Sequence, residues 1–204
     1  GDYLLDVSHL GFVAGLLDSA GVEEDCRDRL LELMGEKNTS SLGSLCRELG
    51  LAPEVSEDLC RLAALFGPPG EAFPVLEGMV RGERMEAALQ ELRDVCALIP
   101  EDHLRLDFSV VNDMDYYNGF IFRGYIPGLP SGVLSGGRYD NLLRQMGRSG
   151  GAVGFAVYMN LLERLEQPRE SYDADLLLLY DDKVPVPAVL EEAERCRQSG
   201  QSVR

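Results

Sequence analysis

Two short stretches hold the residues best suited to gripping a small ligand. Asp115-Tyr116-Tyr117-Asn118-Gly119 sets adjacent phenols in a turn, and Gly136-Gly137-Arg138-Tyr139-Asp140 places two glycines, a guanidinium and a third phenol before a helical-looking run. Tyrosine suits a ligand site because its ring packs while its hydroxyl donates or accepts. Neighbouring residues of an extended chain point to opposite faces, so one phenol of the pair faces a pocket and the other the packing. Glycines ahead of a helix let backbone approach a ligand closely and leave N-terminal amides facing it. Plainer roles stay open for both stretches: a turn with two half-buried aromatics, and an arginine that braces a turn instead of holding a carboxylate. Gly150-Gly151 and then Ala152–Val157 (AVGFAV) bring backbone near a cleft floor once more, with Gly154 marking a close approach inside a strand.

Other chemistries find little support. The chain has no phosphate-binding G-x-x-x-x-G-K-[ST] loop, no His/Cys cluster at metal-ligand spacing and no Ser/His/Asp constellation. Its two histidines, His9 and His103, lie 94 residues apart and lack evident partners; His9 reads as a surface or capping residue. The five cysteines fall in helical-looking segments with no C-x-x-C pair, the pattern of small buried thiols. With 19 basic and 35 acidic residues the formal charge is −16, unfavourable for neutralising nucleic-acid phosphates. No apolar run is long enough to span a bilayer, and the first residues lack a basic leader and an apolar signal core, so a cytoplasmic protein is expected.

The elements that position these residues follow from periodicity. Leu104, Leu106, Phe108 and Val110 alternate with polar neighbours, as in a half-buried strand. Phe120–Tyr125 is a second strand, Ser131–Ser135 a third that Gly136-Gly137 stops, and Asp140–Met146 a helix capped by Asp140. Ala152–Val157 is a strand running into a helix over Asn160–Glu166. Upstream, Tyr3–Val7 is a strand, and Ser8 is the N-cap of a helix through Leu17. Residues 22–99 carry successive i, i+3, i+4, i+7 stripes, among them Cys26–Met34, Leu42–Leu49, Val55–Phe66 and Met85–Ile99, punctuated by Gly50, Pro53, Gly67–Gly70 and Pro74. Downstream, Ala174–Tyr180 (ADLLLLY) reads as a strand buried on both faces, Ala188–Arg197 as a helix, and Ser202-Val203 as the threshold of another strand. One strand and one helix cannot bury their own faces, so this end reads as a truncated α/β unit. The resulting expectation is an α+β protein: a first strand and helix over 1–20, an all-helical insert over 21–100, a core antiparallel sheet over 101–166, and a linker with the start of an α/β unit over 167–204.

The two stretches and the AVGFAV run resemble the histidyl-tRNA synthetase family, a class II aminoacyl-tRNA synthetase architecture. That family's signature turn, approximately R-G-L-D-Y-Y-x-G, aligns without gaps on Asn112–Gly119; its G-G-R-Y-D matches Gly136–Asp140, and its third class II motif matches Ala152–Val157. The three occur in order and together cover a distinctive pattern. The resemblance implies a histidine pocket with Tyr117 and Tyr139 at the imidazole, supported by Tyr116, Gly137 and Arg138. It also implies that the first two class II motifs precede Gly1 and that an anticodon-binding-type domain begins near the end of the chain. The departures matter equally. The arginine that opens the family's signature turn falls on Asn112, and the motif 3 arginine that binds ATP phosphate falls on Leu161, with Arg164 about 4.5 Å further along the helix axis. Each lost electrostatic donor is worth about 10²–10³ in rate. A histidine pocket without these arginines resembles the regulatory-subunit branch of the family. It implies no catalytic residues, no cofactor and no metal. The implied partners are the short catalytic subunit of ATP phosphoribosyltransferase, L-histidine as effector, and a second copy in a homodimer within a hetero-oligomer, with neither nucleic acid nor membrane. The alternative is a divergent histidine–tRNA ligase with arginines supplied from elsewhere.

Overall fold

The computed structural model describes residues 2–111, 117–163 and 174–203. The chain folds as two units, Gly1–Leu165 and Glu166–Arg204.

In the first unit, strand β1 (Leu4–His9) leads into helix α1 (Leu10–Ser19). Helices α2 (Glu24–Gly35), α3 (Thr39–Glu48) and α4 (Pro53–Ala64) follow, then the short β2 (Phe66–Gly67), α5 (Pro69–Glu77) and α6 (Glu83–Cys96). A 3₁₀ turn at Glu101–His103 opens β3 (Leu104–Asp107); β4 (Phe120–Tyr125), β5 (Leu134–Arg138), α7 (Asp140–Gln145), β6 (Val153–Val157) and α8 (Met159–Leu162) complete the unit. The strands form one sheet in the order β2-β3-β1-β4-β5-β6. It is antiparallel except where β1 and β3 run parallel. That exception has a simple cause: a parallel pair needs a long crossover, and the helices α1–α6 supply it.

The helical periodicity of the sequence is realised as a core. Phe12, Leu16, Leu17, Leu30, Met34, Leu42, Leu59, Leu62, Leu76 and Leu92 are all buried, one stripe from each helix. They pack with Val7, Leu104 and Leu106, which define the helix-covered face of the sheet. Register then assigns the opposite face. Arg105, Asp6, Arg123, Ser135 and Ala156 lie side by side across β3, β1, β4, β5 and β6, and Ser8, Ile121, Gly137 and Gly154 form the next row. This face, opposite the helices, carries most of the sheet's polar side chains, and the site is built on it.

The first unit differs from three local expectations. Ser8 does not cap α1: β1 runs on to His9, which occupies the N-cap position without a side-chain bond, and Ser8 is buried in the sheet. Six consecutive pairings with β4 hold the strand through His9. Gly136-Gly137 does not end the third strand but lies within β5, paired to both β4 and β6. Side chains from neighbouring strands fill the space above each glycine, so the missing Cβ is what allows the pairing. Asp140 is the first residue of α7 and Tyr139 its N-cap residue, because the Asp140 carboxylate is drawn to the Ala152 N–H and to Arg138 instead.

In the second unit α9 (Val186–Gln198) links two segments that meet in a single parallel bridge, Leu176 to Val203. The Asp175 carboxylate accepts from the Ser202 N–H and hydroxyl at 2.7 and 2.6 Å. The expected buried strand over 174–180 is not formed: Leu177, Leu179 and Tyr180 are exposed, since Ser202-Val203 offers only one bridge among the described residues.

Candidate functional site

Glycines prepare the floor of the site. A Cβ on Gly137 would meet the Tyr117 ring at 2.9 Å, and one on Gly154 would meet the Tyr139 ring at 2.8 Å. Gly137 and Gly154 are directly paired across β5 and β6. Their missing side chains point to one face, and directly opposed Cβ positions are only about 4.5–5.5 Å apart. The two phenols therefore rest over neighbouring glycines on the same face of the sheet. Both rings are half-buried. Tyr117 also lines a cavity of about 350 Å³, together with Ile121, Arg123, Ser135 and Tyr158. The Ser135 and Tyr158 hydroxyls are hydrogen-bonded at 2.8 Å across its wall.

Arg138 leaves the opposite side of β5. Its Nη1 donates to Glu91 of α6 at 2.8 Å and its Nε to Asp140 at 2.7 Å. Of the two uses open in the sequence, bracing is the one this geometry supports. Asp140 completes the brace: its carboxylate also accepts from the Ala152 N–H at 2.9 Å, while its own N–H donates to the Asn118 side chain at 2.8 Å. Burial pushes the Asp140 carboxyl up, but the Ala152 N–H and the Arg138 guanidinium outweigh it and hold it below the usual range. These bonds tie together the three segments that present Tyr117, Tyr139 and Gly154.

His9 belongs to the same brace, not to the surface. It is 3% exposed, with Nε2 3.3 Å from Glu91 and Nδ1 without a partner among the described residues. Burial holds its pKa below the ordinary value despite Glu91. His103 stacks on Tyr3 at 4.2 Å and contacts the Tyr3 carbonyl at 2.8 Å. The cysteines are all free, and burial pushes the Cys96 thiol up to about 11. Leu161 is half-buried in α8. Asn112, Tyr116 and Arg164 lie outside the described residues.

Arg123 and Tyr158 also line the cavity and were not among the residues expected from the motifs. The signal for Arg123 was its in-out position in the Phe120–Tyr125 alternation, which puts it on the face opposite Phe122. Tyr158 follows β6 directly and gave no such signal.

A histidyl-tRNA synthetase family profile matches residues 1–162. The chain belongs to the histidyl-tRNA synthetase family. It is 31% identical over 98% of its length to an ATP phosphoribosyltransferase regulatory subunit of Geobacter metallireducens, and 30% identical over 98% to that of Geobacter sulfurreducens. It covers 48% and 47% of those proteins, so it spans about half the length of the curated relatives it matches. Among solved structures, an ATP phosphoribosyltransferase regulatory subunit/histidyl-tRNA synthetase from Bacillus halodurans superposes with a TM-score of 0.73 at 27% identity, covering 100% of this chain and 53% of that one. The α+β class II synthetase-like fold expected from the motifs is the observed one.

Proposed function

We propose that the protein is a catalytically silent regulatory subunit of ATP phosphoribosyltransferase, the first enzyme of histidine biosynthesis, and that it senses L-histidine. The observation that carries this reading is the pair of phenols, Tyr117 and Tyr139, resting over the neighbouring glycines Gly137 and Gly154. Together with it, the motif position that bears an ATP-binding arginine in a synthetase is Leu161. A floor of paired glycines under two rings suits a flat, polar ring such as imidazole, which stacks and accepts or donates at its edge. The names of the relatives support a subunit that serves a catalytic partner. The site residues are Tyr117, Tyr139 and Gly137, with Tyr116 and Arg138 in support; no cofactor or metal is required. The protein acts in the cytoplasm as a homodimer within a hetero-oligomer with the short catalytic subunit, and binds neither nucleic acid nor membrane.

The mechanism is linkage. Histidine binds one conformation of the assembly more tightly and so raises its population, and the shift cannot exceed the ligand's differential affinity for the two conformations. The test is feedback in the reconstituted assembly with Tyr139→Phe. Weakened inhibition by histidine with intact basal activity supports the sensor; unchanged inhibition makes the pocket vestigial and overturns it.

One observation favours the rival reading, a divergent histidine–tRNA ligase: Arg123 places a guanidinium in the same cavity as Tyr117. ATP–pyrophosphate exchange in the presence of histidine separates the two. The sensor gives no turnover above background, and turnover would establish the ligase.

A further inference from the structure

Arg123 is half-buried and lines the cavity beside Tyr117, yet among the described residues it makes neither a hydrogen bond nor an ion pair. This is unexpected in a chain with 35 acidic and 19 basic residues, where charge alone would favour pairing. Its neighbour on β1 is Asp6, whose carboxylate feels the Arg123 charge but forms neither a hydrogen bond nor a close ion pair with it and keeps one oxygen without a partner among the described residues. The arginine stem is instead laid over Gly132, where an added Cβ would meet Arg123 Cγ at 2.8 Å and Cδ at 3.0 Å. Gly132 thus clears a path that carries the guanidinium along the cavity wall.

We infer that Arg123 is the carboxylate-binding residue of this cavity, selecting an amino acid over its decarboxylated amine. The inference rests on the histidine-pocket reading and adds the group that recognises the other end of the ligand. A guanidinium offers planar paired donors that match a carboxylate, and it remains charged at any working pH. The spacing fits. Arg123 stands two residues along β4 from Ile121, whose partner Gly137 carries the Tyr117 ring. Two residues of strand separate the two ends by roughly 6.8 Å, about the reach of one amino acid. A cavity of about 350 Å³ is of the size expected for a small ligand. The Ser135–Tyr158 hydroxyl pair flanks Arg123 and supplies further hydrogen bonds.

The test is calorimetry on the intact protein with L-histidine, histamine and ATP, repeated for Arg123→Gln and Arg123→Lys. A hydrogen bond to a charged group is worth about ten- to a hundredfold in affinity. Wild type should therefore bind histidine at least tenfold more tightly than histamine. Arg123→Gln should remove that preference while leaving histamine binding within about twofold, and Arg123→Lys should restore part of it. Equal wild-type affinity for histidine and histamine would overturn the inference and leave the histidine pocket standing. So would an Arg123→Gln variant that loses both ligands alike, or ATP binding that depends on Arg123. Wild type that binds neither histidine nor histamine would overturn the pocket reading itself, and this inference with it.

Discussion

Asp6→Asn should make the protein more stable at neutral pH. Asp6 is 5% exposed, in the middle of a sheet, and one of its carboxylate oxygens has no partner among the described residues. Burial first, and then the charge of Asp107, push its pKa up to about 6 against the opposing pull of Lys37, Arg123 and Arg105. Asp107 is itself paired with Lys37 at 2.9 Å, so Lys37 is already engaged. In the unfolded chain the carboxyl titrates near 3.8. Below that value both states are protonated and the folded state carries no penalty. As pH rises, the unfolded chain releases its proton first, so stability falls until the folded carboxyl has titrated as well, near pH 6. The full difference corresponds to about 3 kcal/mol at about 1.36 kcal/mol per pH unit. Allowing for partial solvation and coupling to Asp107, about 1–3 kcal/mol is expected. Urea denaturation of wild type and Asp6→Asn from pH 4 to 8 measures it: the variant's advantage should grow between pH 4 and about 6.5 and then level off. An advantage that does not change with pH, or a variant less stable at pH 8, would refute the reasoning.

The glycine floor and the brace give separate outcomes. Gly136→Ala puts a methyl against the Gly154 carbonyl and 2.6 Å from Phe122 Cζ, so backbone must move; a loss of about 1–3 kcal/mol is expected in thermal or urea unfolding. Gly154→Ala displaces the Tyr139 ring instead and should weaken histidine binding more than it lowers the melting temperature. Arg138→Ala strands Asp140, which is 4% exposed, and removes the Glu91 contact; because Arg138 itself is partly exposed, about 1–2 kcal/mol of destabilisation is expected by the same assays.

How far the sequence revealed the fold depended on the range of the signal. The stripe from Met85 to Ile99 needs only its own periodicity, and it appears as α6 with Met85, Ala88, Leu89, Leu92 and Cys96 buried. The AVGFAV run likewise appears as β6. What depended on a distant partner was misread. Gly136-Gly137 looks like a stop until β4 and β6 are seen to flank it, and Ser8 looks like a cap until β4 is seen to hold it in the strand. The apolar run at 174–180 has the composition of a buried strand, but a strand also needs a neighbour. Within the site, the phenols and glycines could be read from motif and spacing. Arg123 could not, because its meaning comes from β1 and β5 lying on either side of it.

The proposed sensor would hold histidine in this cleft without activating it. Titrating L-histidine into the intact protein by calorimetry, with ATP as the parallel titrant, tests it most directly. Saturable heat with histidine and none with ATP is the outcome expected here. Clear binding of ATP with no response to histidine would contradict it.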